Sequence, residues 1–281
     1  MSDVLIMVAP NGARKTKDDH PSLPITPDEV VVTARASLEA GASAIHLHAR
    51  DGQGRHTLDP EIYQTFIDAT QQAVGNDMVV QITTEAVGIY NADQQMASIR
   101  SLKPAAATFA VRELFPDDGD EDRAHRFFTE IAEWGCSPQF ILYDQADAYR
   151  FADLVGHGVI PQKNPFAIFV LGRYLKPRHE LEPEDFSNAK DICGFLHDWP
   201  DSWPWMVCAF GAAETKVLAA TVAMGGHVRI GFENNHFNAN GEVAESNEAR
   251  VACFGRITKA LGETPMAYSE TKKVFECAAE V

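Results

Sequence analysis

The chain has few cysteines, and those it has are not arranged for metal or redox work. Five thiols, at 136, 193, 208, 253 and 277, are odd in number and show no C-x-x-C spacing. That excludes a disulfide framework and a cysteine-only zinc site, and leaves buried thiols as the expectation. Long apolar runs are missing too. The opening MSDVLIMVAP has an acidic third residue and too short an apolar stretch for a signal peptide or membrane span, so a cytoplasmic protein with no membrane partner is expected. Basic charge is scarce: 24 Lys and Arg face 40 Asp and Glu, a net charge of −16. Such a surface repels polyanions, which excludes nucleic acid as the expected partner. Finally, no G-x-G-x-x-G follows the first strand-like run, which gives way to Pro10-Asn11-Gly12-Ala13 instead. A dinucleotide fold therefore has no support.

What is present is an ordinary globular composition, 45% hydrophobic and 23% charged over 281 residues. Apolar runs of strand length alternate with helical patterns from end to end. Strands are expected at 4–9, 43–50, 78–85, 105–111, 139–143, 166–171, 205–210 and 227–232. Helices are expected at about 27–40, 60–74, 92–102, from an acidic connection at 115–121, and at 146–155, 183–196, 213–224 and 244–261. The first is marked by Thr26-Pro27-Asp28-Glu29: a Thr cap, Pro at the first helical position and Glu three residues after the cap. Eight strand-helix units with no linker or composition break predict a single-domain (β/α)8 barrel over residues 1–281, with a doubly wound sheet as runner-up.

In such a barrel, chemistry sits at the C-terminal ends of the strands. One stretch stands out there: Ala44-Ile45-His46-Leu47-His48-Ala49-Arg50-Asp51. Side chains two apart on a strand share a face, so His46, His48 and Arg50 are expected to point together. The eighth run, 225–235, repeats the alternation. With Val228, Ile230 and Phe232 toward the helices, Arg229 and Glu233 face the axis, Glu233 at the mouth. Strands two and eight lie two places apart around a closed barrel, roughly 10 Å between backbones, a gap that histidine and glutamate side chains can span. Two imidazoles and a carboxylate with an open position suit a catalytic zinc, though other divalent transition metals take similar ligands. A His-x-His pair on a solvated edge or hydrogen-bonded in the core is the plainer alternative. His20, His125, His179 and His197 fall in helices or loops and are weaker candidates.

The third strand places Gln81, Thr83 and Glu85 on one face. Arg112 and Glu113 end the fourth strand, Arg173 heads a basic loop after the sixth, and Arg14, Lys15 and Lys17 lie in the first loop. In so acidic a chain, basic residues gathered at one end imply an anionic ligand such as a carboxylate or phosphate. The aromatic stretch 199–205 joins a helix to the next strand, and is expected to seal the barrel floor or a subunit contact.

These residues together resemble the β-keto acid cleavage enzymes. The resemblance is carried by Ala9-Pro10-Asn11-Gly12-Ala13, by Pro24-Ile25-Thr26-Pro27-Asp28-Glu29, by His46-Leu47-His48-Ala49-Arg50-Asp51 and by the run 225–235, and it spans nearly the whole chain. It implies a (β/α)8 barrel in which a small anionic β-keto acid and acetyl-CoA exchange an acetyl group, giving acetoacetate and a new CoA thioester. It also implies zinc on His46, His48 and Glu233, a substrate-contacting Arg229, and a homo-oligomer, a tetramer by resemblance. Two positions depart from the family pattern. Thr83-Thr84-Glu85-Ala86 stands where Ser-Thr-Gly-Gly is usual, and Asn234 replaces an acidic residue after the ligand glutamate. An amide cannot act as a general base. A glutamate expected on strand five is also missing near Ile141.

The reading is thus a catalytic group of Arg229, Glu85 and Thr83, with Asn11, Arg50, Arg112, Arg173 and Asn234 as substrate contacts. Glu85 takes over part of the acid-base role. A metal-dependent hydrolase or lyase, and a non-catalytic barrel that binds a small acid, are the alternatives.

Overall fold

The computed structural model describes residues 3–115, 121–173 and 187–281. Eight parallel strands close into one barrel: β1 (Ile6–Val8), β2 (Ala44–Leu47), β3 (Val79–Thr83), β4 (Ala106–Ala110), β5 (Ser137–Leu142), β6 (Phe166–Leu171), β7 (Trp205–Ala209) and β8 (His227–Ile230). The ring closes where Met7 sits beside Arg229 on one side and Ala44 on the other. Around it lie helices α1 (Pro27–Glu39), α2 (Pro60–Val74), α3 (Ala92–Leu102), α4 (Glu121–Glu133), α5 (Gln145–Gly156), α6 (Ile192–Leu196), α7 (Glu214–Ala223) and α8 (Asn247–Ala260). The Thr26 capping box opens α1 as expected: Thr26 accepts from the Glu29 N–H, and the Glu29 carboxylate accepts from the Thr26 N–H.

Strand residues pointing outward, such as Ile45, Leu47, Val80, Ile82 and Phe109, join one core with the helices. Those pointing inward, among them Met7, Ala44, Ile168, Val170 and Met206, fill the barrel. The alternation expected for β8 holds, with Val228 and Ile230 in the outer core.

Two strands, β2 and β3, stop short of their expected ends where a side chain replaces the neighbouring strand as hydrogen-bond partner. The Tyr63 hydroxyl of α2 lies 3.0 Å from the Leu47 carbonyl oxygen and 3.1 Å from that of Thr83, the last residues of β2 and β3. His48 and Glu85 consequently stand on the loops just past those strands. After β8 the backbone turns at once: the Asn234 and Asn235 N–H groups both donate to the Gly231 carbonyl, and the Glu233 N–H donates to the Ala9 carbonyl.

Three elements went unforeseen. A short helix, Val111–Leu114, follows β4 directly; Asp3–Val4 pairs in parallel with Thr264–Pro265; and a further long helix, α9 (Tyr268–Ala279), follows that pair. Its Phe275 and Ala278 complete the apolar filling of the barrel, with Phe275 against the Phe166 ring at 5.6 Å. The floor is therefore sealed by α9. Trp199 and Trp203, expected there, pack in the helical layer instead, both against Phe151. The helix expected at 183–196 falls partly outside the described residues and is seen from a 3-10 turn, Ala189–Asp191, through α6; of the acidic connection at 115–121, residues 116–120 also lie outside them.

Candidate metal centre and active site

At the mouth, β2 and the turn after β8 bring His46, His48 and Glu233 together. One ligand atom from each lies within 4.8 Å of the others, and all three residues are buried. Glu233 Oε2 is 3.4 Å from His48 Nε2 and 3.9 Å from His46 Nε2. Neither that oxygen nor either His48 ring nitrogen has a hydrogen-bond partner. Buried polar atoms are almost always paired, so the two orphans that face each other across the cluster, His48 Nε2 and Glu233 Oε2, fit a cation there.

The protonation states agree with ligand duty. Burial, reinforced by the Arg229 charge, holds the His46 imidazole well below its ordinary value and thus neutral. Burial alone would raise the Glu233 carboxyl, but the Arg229 charge holds it well below the carboxylate range. A neutral imidazole at His46 and an ionised carboxylate at Glu233 are the forms a divalent metal takes. His46 Nδ1 donates to Gln81 Oε1 at 2.7 Å, leaving Nε2 with its lone pair toward the cluster. Arg229 donates from Nη2 to Glu233 Oε1 at 3.0 Å and to Cys208 Sγ at 3.2 Å. Its Nε is buried without a partner.

The trio forms one wall of a small pocket completed by Thr83, Glu85, Ile141, Tyr143, Val170, Arg173, Phe210 and Arg229. Glu85 enters it fixed by its own backbone. Its N–H donates to Thr83 Oγ1 at 3.1 Å, and its carbonyl accepts from His56 Nε2 at 2.9 Å. The next N–H, of Ala86, donates to the Glu113 carboxylate at 3.1 Å. Glu85 Oε1 pairs with Arg173 Nη2 at 3.1 Å, and Oε2 lies 3.8 Å from His48 Nδ1. The Arg173 guanidinium also lies over the Phe210 ring, 4.7 Å from its centre.

Other expected contacts turn away from this space. Arg50 directs its guanidinium to the carbonyls of Gly12, Lys15 and Gly54, so it fastens the first loop. Asn11 donates to the carbonyls of Pro24 and His48, both at 3.1 Å. Asn234 donates to the Arg229 carbonyl at 3.4 Å. Arg112 is held by Asp144 and Asp147 and lies over the Tyr143 ring. None of these four lines the pocket. The sequence reading passed over His56, whose isolated position after a Gly-rich turn carries no pattern, and over Gln139 and Tyr143 on the fifth strand and its loop. Only the inward alternation 137, 139, 141 could have flagged Gln139. Lys15, singled out merely as loop charge, is largely buried and donates to the Phe232 carbonyl at 2.5 Å; burial pulls its amine down to about 8.

Comparison with known proteins agrees with this geometry. Over 98% of its length, and 98% of the relative's, the chain is 28% identical to a 3-keto-5-aminohexanoate cleavage enzyme of Fusobacterium nucleatum subsp. nucleatum. It is 24% identical to a 3-oxoadipate:acetyl-CoA acetyltransferase of Cupriavidus necator, covering 96% of this chain and 94% of that one. Among solved structures, a ternary complex of ObcA with a C4-CoA adduct and oxalate superposes with a TM-score of 0.71 at 14% identity, over 91% of this chain and 67% of that chain, a likeness of fold. The model of the beta-keto acid cleavage enzyme family matches residues 3–276. With a match of that extent, and with the barrel, the mouth and the His-His-Glu cluster in place, the chain belongs to the beta-keto acid cleavage enzyme family.

Proposed function

We propose that the protein is a zinc-dependent enzyme, with other divalent transition metals as possible occupants, that exchanges acetyl between a small β-keto acid and acetyl-CoA. The observation that carries the reading is the buried His46–His48–Glu233 cluster, with His48 Nε2 and Glu233 Oε2 unpartnered, at the mouth of a barrel of this family. The net reaction is R–CO–CH2–COO⁻ + CH3–CO–S–CoA → R–CO–S–CoA + CH3–CO–CH2–COO⁻. A carbon–carbon and a carbon–sulfur bond break, one of each forms, and nothing is oxidised or reduced. The names of relatives from Paraburkholderia graminis and Cupriavidus necator, which include acetyl-CoA as a reactant, support the co-substrate.

His46, His48 and Glu233 would hold the metal, which when bound supplies Lewis-acid polarisation of the ketone and carboxylate oxygens. Arg229, a permanently charged guanidinium paired through Nη2 with Glu233, offers an unpaired Nε–H to the substrate carboxylate or a developing oxyanion. Glu85 is the acid-base group: its carboxylate lines the pocket and takes the proton from the carbon between ketone and carboxylate. Thr83 holds the Glu85 backbone, and Arg173 orients its carboxylate. Ile141, Val170 and Phe210 supply the apolar wall for the acyl group. The described residues contain no helix long and apolar enough to cross a membrane. A cytoplasmic homo-oligomer completes the reading.

The test is metal analysis of the purified protein together with a panel of β-keto acids assayed for acetyl-CoA-dependent acetoacetate. Bound metal at about one per chain and turnover of at least one acid are expected. Metal-replete protein that turns over none of a panel with neutral, cationic and anionic side chains would overturn the proposed reaction.

A further inference from the structure

Beneath the metal cluster a chain of polar side chains crosses the barrel interior. Gln81 on β3, Gln139 on β5 and Met206 on β7 are each 0% exposed. Gln81 Oε1 accepts from His46 Nδ1 at 2.7 Å, Gln81 Nε2 donates to Gln139 Oε1 at 3.0 Å, and Gln139 Nε2 approaches Met206 Sδ at 3.7 Å. Each link has a direction. A thioether can only accept, so the Gln139 amide must present its NH2 to Met206 and its oxygen to Gln81. Gln81 must then give its NH2 to Gln139 and its oxygen to His46, and His46 must carry its proton on Nδ1.

We propose that Gln81 and Gln139, anchored by Met206, are positioning residues that fix the His46 tautomer, so that Nε2 faces Glu233 and His48 with its lone pair free for a metal. Reversing the chain would set the Gln139 oxygen against the sulfur and move the His46 proton to Nε2, where it blocks ligation. The ligand half of this inference rests on the metal reading above; the tautomer half does not. Partners that orient a ligating imidazole are typically worth roughly 10–100-fold in metal affinity, which sets the scale of the effect.

The experiment uses the full chain, stripped of metal, with ¹⁵N-labelled histidine. Imidazole nitrogen shifts at neutral pH are expected to show His46 as the Nδ1–H form in the wild type and in Gln81→Glu, which keeps an acceptor. Gln81→Leu should show a mixture or the Nε2–H form. Titration with zinc ion alone, against a competing chelator, should show affinity within a few-fold of wild type for Gln81→Glu and a drop of about 10–100-fold for Gln81→Leu. An Nε2–H form in the wild type, or an unchanged tautomer in Gln81→Leu, would overturn the inference. Should Gln81→Leu fail to fold, Met206→Leu, close in volume, is read in its place: a mixed tautomer supports the chain of direction and a pure Nδ1–H form overturns it. Wild-type protein that shows the Nδ1–H form but binds no zinc would overturn the metal reading while leaving the tautomer assignment standing.

Discussion

At the scale of single residues, a charge near the mouth is not a charge in the pocket. Arg50 shares its strand alternation with His46 and His48, yet its guanidinium hydrogen-bonds to the backbone carbonyls of Asn11, Gly12, Lys15 and Gly54. Glu85, by contrast, reaches the pocket because Thr83, His56 and Glu113 hold the backbone on either side of it. If it is the acid-base group, Glu85→Gln lowers kcat by about 100-fold or more while leaving metal content unchanged, since it is not one of the three ligands. Near-normal turnover in that variant would move the role elsewhere. The two histidines were legible from their spacing alone, and Glu233 from the matching alternation on β8. The fates of Arg50, Asn11, Asn234 and Arg112 were not, because the carbonyls and carboxylates that take their donors come from distant loops that no local pattern reveals.

Among the elements, the turns carry the precision of the site. Gly12 has φ +65, and a Cβ placed on it would lie 2.7 Å from Glu233 Cγ. Gly12→Ala should therefore combine a left-handed backbone cost of about 1–2 kcal/mol with displacement of a metal ligand. Zinc affinity is expected to fall by about tenfold or more, measured by chelator competition, with the fold retained by circular dichroism. Gly231 is tighter still: with φ +144, an added Cβ would meet the Ala9 carbonyl oxygen at 2.4 Å. Helix α9 is the longest of the elements the sequence pattern did not predict. Its buried positions Thr271, Phe275 and Ala278 have helical spacing, but the eight-unit count already looked complete without them. Because Phe275 fills the barrel floor, Phe275→Ala should cost about 3–5 kcal/mol in denaturant unfolding. A change below about 1 kcal/mol would mean that the floor is sealed without it.

For the molecule as a whole, the barrel and its order of elements could be read from hydrophobic period alone, whereas strand ends could not, because side chains such as Tyr63 replace the ladder there. Acid sensitivity is a property at this scale. Burial pulls His227 down to about 4, and its Nδ1 accepts from the Leu5 N–H across the junction of first and last strands. Its folded value lies below its unfolded one, so its contribution is complete above roughly pH 6.5 and shrinks as pH falls toward 4, by up to about 1.4 kcal/mol per pH unit. Unfolding free energy measured across that window should decline, and His227→Gln should flatten the decline. The same junction gives the metal cluster a second meaning. His46 lies on β1's neighbour on one side and His48 just past it, and Glu233 follows its neighbour on the other, so the three ligands straddle the seam where the sheet meets itself. A cation there would be a clasp. Zinc at about 100 times its dissociation constant would add about 2.7 kcal/mol, and the added protection from hydrogen exchange should concentrate in the amides of Met7, Val8 and Ala9, the threads that the clasp holds shut.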